Sequence, residues 1–315
     1  MFAKIFEKLN YTSFVISCIL LLGISYYYVS LEIQWSFVES KILNGLLIFG
    51  ALMLTNFAID TVTRQLTIER SNRNAYHLLI YPLVILSFPV ESVDLRYILG
   101  SAALWSAWRN TRLFIESNNN NDKLKRLLDS VLLISASSLL ILENLFFLLV
   151  PLLLLFTINI KQDIKYFIII TITPIIILPS AYIISFFLFP QEYLFSSYLL
   201  GDLSISYEIN GLETLFSSGS LLLIILLFLC SASIKLFRPS GFQRKILDIV
   251  GIIFLILIIV FFSLNDKISG SEFHYTSLIL VYFISQIFSK KINVFYINFI
   301  FISIIISTII FNYII

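Results

Sequence analysis

The sequence predicts an all-α fold, a polytopic bundle of transmembrane helices, and three observations carry that prediction. Apolar runs of about 15 to 24 residues recur along the chain, the length a helix needs to cross a bilayer. Only 13% of the 315 residues are charged and 59% are hydrophobic, whereas a soluble domain carries about a quarter charged residues. The 21 lysines and arginines also fall almost entirely in alternate loops, as they do when cytoplasmic loops retain them during insertion.

Eleven runs qualify in order: Tyr11–Ser30, Ile42–Val62, Tyr76–Val90, Leu95–Phe114, Leu127–Leu142, Leu145–Ile160, Tyr166–Phe189, Leu221–Phe237, Ile246–Phe262, Tyr275–Phe288 and Val294–Ile310. The first has basic residues before it (Lys4, Lys8) but no small-residue cleavage site, so it reads as a retained helix. The third, fifth, sixth and tenth are short for a core about 30 Å thick and must lean on protein neighbours. The third carries Pro82 and Pro89; the fourth begins at Arg96 and ends in "WSAWRNTR". If neither crosses, the count falls to nine with parity unchanged. No soluble domain fits between the runs, so residues 1–315 form one membrane domain.

The fifth and sixth runs pose the main topological question. As one helix, Leu127 to Phe156 would be about 45 Å long, half as long again as the core. A turn at Glu143-Asn144, with the N-terminus inside, puts 18 basic residues in the cytoplasm. Only Lys41, Arg96 and Lys267 of the 21 remain outside. A single helix inverts everything downstream and leaves no bias. The hairpin follows, with Glu143 at its outer apex and the C-terminus outside. Prolines 174 and 179 in "TITPIIILPS" predict bends in the seventh run.

The outer loops are acidic. "PQEYLFSSYLLGDLSISYEINGLETL" holds Glu192, Asp202, Glu208 and Glu213 and no basic residue. Glu32 and Glu39 in "SLEIQWSFVESK", together with Glu143, emerge at the same surface. A carboxylate desolvated at a lipid boundary suits a general base or proton relay. Glu32, Glu39 and Glu143 are therefore the catalytic candidates, and Asp202 and Glu213 the binding candidates. Asp129, Asp60 and Asp248 read as helix-end charges that complement dipoles and nearby cations.

Other chemistries find no pattern. His77 and His274 fall at opposite faces, and "SSGS" (Ser217 to Ser220) reads as a turn rather than a nucleophile for His274. Cys18 and Cys230 lie in apolar runs without metal or disulfide spacing. No metal and no cofactor are expected, and the net charge of +2 gives no reason to expect nucleic acid. The bilayer is the expected partner.

"SAALWSAWRNTRLF" (101 to 114), followed by "LLDSVLLISASSLLILENLFFLLVPLLLL" (127 to 155), resembles a family of multi-pass inner-membrane proteins of flavobacteria and their relatives, catalogued as domain of unknown function 6427. In that family a helix ending in Arg and aromatic residues precedes an acid-bearing helix start and a short apolar hairpin. Arg112, Phe114 and Asp129 occupy those places here, while Leu128 stands where an aromatic precedes the acid. The resemblance implies the bacterial inner membrane and brings no activity.

The expected role is in the cell envelope. Three activities fit: glycosyltransferase-like handling of a polyprenyl-linked lipid at the outer face, transport of a small molecule or lipid, or a non-catalytic scaffold for envelope proteins. The hairpin itself is directly testable. A topology reporter fused after Lys165 is expected to read cytoplasmic, and a periplasmic signal would refute the fold-back.

Overall fold

The computed structural model describes residues 2–7, 10–36, 38–64, 75–117, 119–157, 164–188, 219–236, 248–253, 255, 270–288, 298, 299, 302, 303, 305 and 306. After the short α1 (Phe2–Ile5), α2 (Tyr11–Ser30) leads through strand β1 (Glu32–Trp35) into α3 (Lys41–Arg64). Next come α4 (Tyr76–Leu86), strand β2 (Ser92–Asp94), α5 (Leu95–Glu116) and α6 (Asn120–Ser138). A first 3₁₀ helix (Leu142–Leu148) runs into α7 (Leu149–Thr157), followed by α8 (Ile164–Leu188) and α9 (Gly219–Leu236). A second 3₁₀ helix (Ser271–Thr276) precedes α10 (Ser277–Phe288). The fold is thus helical, with one two-stranded parallel sheet among the described residues that the apolar pattern did not predict.

The helices expose large apolar residues outward while polar residues share their buried faces with the apolar core. The face of α2 turned inward carries Ser13, Ser17, Ser25 and Tyr28 beside Leu21 and Ile24, while Val15, Ile19, Leu22 and Tyr26 are exposed. In α3, Asn44, Thr55 and Asn56 are buried and Ile42, Leu46, Leu54 and Phe57 exposed. Asn56 Nδ2 donates to Ser17 Oγ at 3.2 Å, joining the two helices. The outer face of α8 is a ladder of isoleucines, 164, 168, 172, 175 and 176. Small and polar residues between helices with large apolar residues outside suit a lipid surround, where helices gain from close packing and hydrogen bonds. Among the described residues, Tyr11–Ser30, Lys41–Thr63 and Ile164–Ala181 are long and apolar enough to cross a membrane.

The two doubtful runs resolve differently. α5 has 22 residues, about 33 Å of rise, and is buried on several faces by Leu95, Ile98, Trp105, Trp108 and Phe114. α4 has only 11 residues, about 16 Å, and every side chain from Tyr76 to Ile85 is buried. An all-round apolar helix belongs in a core, and α4 is packed by α2, α3 and α10. α10 is also short, at 12 residues. These two half-length helices lie side by side within the bundle.

The 127–156 stretch folds back, but not where the sequence predicted. α6 starts at Asn120, capped by Asn119, and ends at Ser138. The chain turns at 139–141, and Glu143-Asn144 lies inside the following 3₁₀ helix. Serine hydroxyls end α6: Ser138 Oγ donates to Ser135 O at 2.7 Å, and Asn144 Nδ2 donates to Ser137 O at 3.2 Å. Hydroxyls that bond the preceding turn favour helix ends. Leu155 of α7 then shares a packed cluster with Leu127 and Val131 of α6 and with Tyr166 and Ile170 of α8. Asp129 therefore lies in the third turn of its helix, and Asp122 takes the first-turn position. Prolines 174 and 179 both lie inside a continuous α8.

Gly270 has φ +86°, and a Cβ there would strike the Pro89 carbonyl and Val90 Cα. Gly270→Ala is expected to cost about 1 to 3 kcal/mol, from left-handed backbone and overlap. It should read as a lowered melting temperature in detergent. Gly50→Ala, with no neighbour within 4 Å, serves as the control and should not lower it.

Candidate functional site

Four segments outside the α-helices meet at one end of the bundle, here called the strand end. They are 31–35, 88–94, 139–148 and 270–276. β1 and β2 pair in parallel, Glu32 opposite Ser92 and Ile33 opposite Val93; an irregularity then brings Trp35 opposite Asp94. Ser271 ties in the third segment, accepting from Asp94 N at 3.0 Å and donating to Ser92 O at 3.2 Å. Among the described residues, loops predicted to lie on one side from the distribution of basic residues thus pack together.

Asp94 is the pivot. Its carboxylate caps α5 by accepting from Arg96 N at 2.9 Å. It also takes Arg96 Nε at 3.0 and 3.1 Å and Nη2 at 2.6 Å. The Asp94 side chain is 2% exposed and the Arg96 side chain 26%. The guanidinium lies 5.3 Å from the Trp35 ring centroid, within cation–π range. So fixed, Arg96 presents a planar, always-charged fork at the edge of the site.

A second knot binds α5, α6 and the two 3₁₀ helices. Asn144 Nδ2 donates to Ser137 Oγ at 2.7 Å and to the Tyr275 hydroxyl at 2.9 Å. Ser137 Oγ donates to Gly100 O at 2.8 Å. Gly100 is required: a Cβ there would lie 2.5 Å from the Tyr275 hydroxyl. The Tyr97 and Tyr275 rings meet edge to face at 6.3 Å. Glu272, Asp94, Arg96 and Glu143 all lie within electrostatic reach of Tyr97, and Glu143 also within reach of Tyr275. The site is therefore acidic, with two phenols between three carboxylates and one guanidinium.

His274 lies beneath it, with no role as an exposed loop residue. Its Nε2 is 3.2 Å from the Tyr28 hydroxyl, and its ring packs edge-on against Tyr28 and Phe88. Its carbonyl accepts from Trp105 Nε1 at 3.1 Å and Ser277 Oγ at 2.8 Å. Burial pushes the imidazole pKa down to about 3, so it is neutral under physiological conditions and serves as a hydrogen-bonding wedge.

Of the predicted site residues, the structure brings Glu143 to this cluster, exposed and next to the buried Asn144. Glu32 and Glu39 are also exposed, but no contact of theirs reaches the tyrosines among the described residues. Asp202 and Glu213, with Glu192, Glu208, Ser217 and Ser218, lie outside the described residues. The sequence reading missed Asp94, Asn144, Glu272 and the tyrosines. Asp94 had a signal, an aspartate immediately before an apolar run, the mark of an N-cap. Glu272 had none, because "GSEFHYT" reads as an ordinary polar loop. No group of three or more His, Cys, Asp or Glu suited to a metal occurs among the described residues.

At the opposite end, His77 Nε2 stands 2.9 Å from Asp60 Oδ1, linking the start of α4 to the last turns of α3. Asp60 therefore has a specific partner beyond its helix dipole. No protein-family model matches the chain, and neither a curated protein nor a solved structure is detectably similar to it.

The buried His274 sets a pH dependence. Its folded pKa lies below the unfolded value of 6.5, so below pH 6.5 the unfolded chain takes up a proton that the folded chain does not. Stability should be flat above that pH and fall by about 1.4 kcal/mol per unit as acidity increases. Melting curves from pH 7.5 to 4.5 test this, and His274→Phe should flatten the acid limb.

Proposed function

We propose that this is a multi-pass protein of the bacterial inner membrane that handles a lipid-linked substrate at the outer, strand end of its bundle. The proposal includes a polytopic topology, N-terminus in and C-terminus out, membership of the family it resembles, and a role in the cell envelope. The observation that carries it is the convergence of Asp94, Arg96, Glu143, Glu272, Tyr97 and Tyr275 on loops whose flanking charges favour the outer face. Glycosyltransferase-like chemistry suits that set. Glu143, exposed at the rim, takes the proton of an acceptor hydroxyl as its oxygen attacks the anomeric carbon of a polyprenyl-phosphate sugar. The bond from that carbon to the phosphate oxygen breaks, and Arg96 meets the departing charge. Asp94 and Trp35 hold the guanidinium for that task.

One observation favours a transporter as the second reading. α4 and α10 both stop short, and buried non-helical backbone continues from them, an arrangement that transporters use to build midplane sites. A scaffold role gains no comparable support, because a protein surface does not need the acids gathered inward.

Turnover of a short-chain polyprenyl-phosphate sugar by the protein in nanodiscs tests the first reading. Glu143→Gln should lower kcat by at least about tenfold, within the usual range for a general base. Arg96→Ala should cost as much or more, while Glu32→Gln and Glu39→Gln remain near wild type. Wild-type turnover in Glu143→Gln would refute this assignment. Accumulation of an intact substrate inside vesicles, without turnover, would select the transporter.

A further inference from the structure

The end of the bundle opposite the strands holds a polar centre that the proposed reaction does not use. Arg112, four residues before the end of α5, has a side chain only 1% exposed. Its Nε donates to Glu116 Oε1 at 3.3 Å, one turn on. Its Nη1 and Nη2 are buried and meet no acceptor among the described residues, and the same holds for Arg109 Nε. Arg109 precedes Arg112 by three residues, which places both on one face of α5.

The surrounding side chains do not relieve this. Asp248, 5% exposed, is the obvious counter-ion, but its Oδ1 accepts from the Tyr282 hydroxyl at 2.8 Å. Tyr282 lies against Arg112 as well, so one phenol neighbours both charges. On the same side Trp108 packs close to Gly251, whose added Cβ would lie 3.6 Å from the indole. The guanidinium is therefore enclosed by α5, the 248–253 helix and α10. Nearly all buried polar groups in proteins find partners, and a guanidinium out of water is costly without them.

We propose that Arg112, assisted by Arg109, binds a phosphate oxyanion at this end of the bundle. The two Nη donors of one planar fork match two oxygens of one phosphate, and the second arginine supplies charge for a third. Arg112 sits about 6 Å from the end of α5 by helical rise. Two sources of the same chemistry fit, the headgroup phosphate of a membrane lipid or free phosphate. The inference does not rest on the strand-end reaction, since the residues are separate and the readout is binding.

Thermal unfolding of the full chain in detergent tests it with three probes: short-chain phosphatidic acid, the matching diacylglycerol, and inorganic phosphate. Phosphatidic acid should raise the melting temperature by several degrees with saturation, and diacylglycerol should not. Arg112→Lys keeps the charge but loses the fork and should raise the half-saturating concentration at least tenfold; Arg109→Gln should raise it about threefold. An equal shift with inorganic phosphate alone assigns the site to free anion, and a shift restricted to phosphatidic acid assigns it to lipid. The proposal fails if neither phosphate probe shifts the wild type, or if both variants respond as the wild type does. Should Arg112→Lys not fold, an unchanged midpoint in Arg109→Gln is enough to overturn it.

Discussion

Backbone that is not helical must find every hydrogen bond inside the protein when water is absent, and this constraint organises the structure. α4 ends at Leu86 and α10 begins at Ser277, so segments 88–94 and 270–276 run outside the α-helices yet stay largely buried against the bundle. Each is tied by specific partners. Trp105 holds the His274 carbonyl, Ser271 clasps both ends of β2, and the short parallel sheet joins the first loop to the second. Such backbone persists at depth only where protein surrounds it. The long helices α2, α3 and α5 supply that surround.

The same requirement explains which side chains face inward. Serine, asparagine and glycine dominate the contacts around the non-helical segments because they combine close approach with hydrogen bonding. Gly100 admits the Tyr275 hydroxyl, Ser137 satisfies the Gly100 carbonyl, and Asn144 closes the loop between them. A hydrogen-bonded network of this kind, shielded from water, rigidifies its members. Asp94 does related work at the rim, where one carboxylate caps a helix and orients an arginine over an indole. The acidic centre between Tyr97 and Tyr275 is thus a by-product of how the short helices are ended. Chemistry then has fixed groups to use.

The two ends of the bundle are built on different electrostatics. At the strand end, carboxylates outnumber cations and the principal arginine is already paired. At the opposite end, Arg112 pairs with Glu116 through Nε alone, and Arg109 and Arg112 keep unmet donors among the described residues. The asymmetry runs along α5, which carries Arg96 at its start and Arg112 near its close. One helix therefore links both centres, and its length sets their separation.

Composition and periodicity determined much of this. They dictated helices, apolar outward faces and a fold-back between residues 127 and 156, because transfer free energy and charge retention act on local stretches. They also grouped the loops that the structure brings together, and they marked Glu143 as a rim acid. The finer features needed three dimensions. How far α4 and α5 extend and what they bury depended on neighbours, since both sequences are compromised, one by prolines and the other by arginines. The turn moved from Glu143 to Leu139 because Asn144 and Ser137 find each other and Tyr275, a residue more than a hundred positions away. Glu272 and His274 look solvated in sequence and are buried in the fold. Burial of a polar loop is decided by what packs over it, and no local pattern encodes that cover.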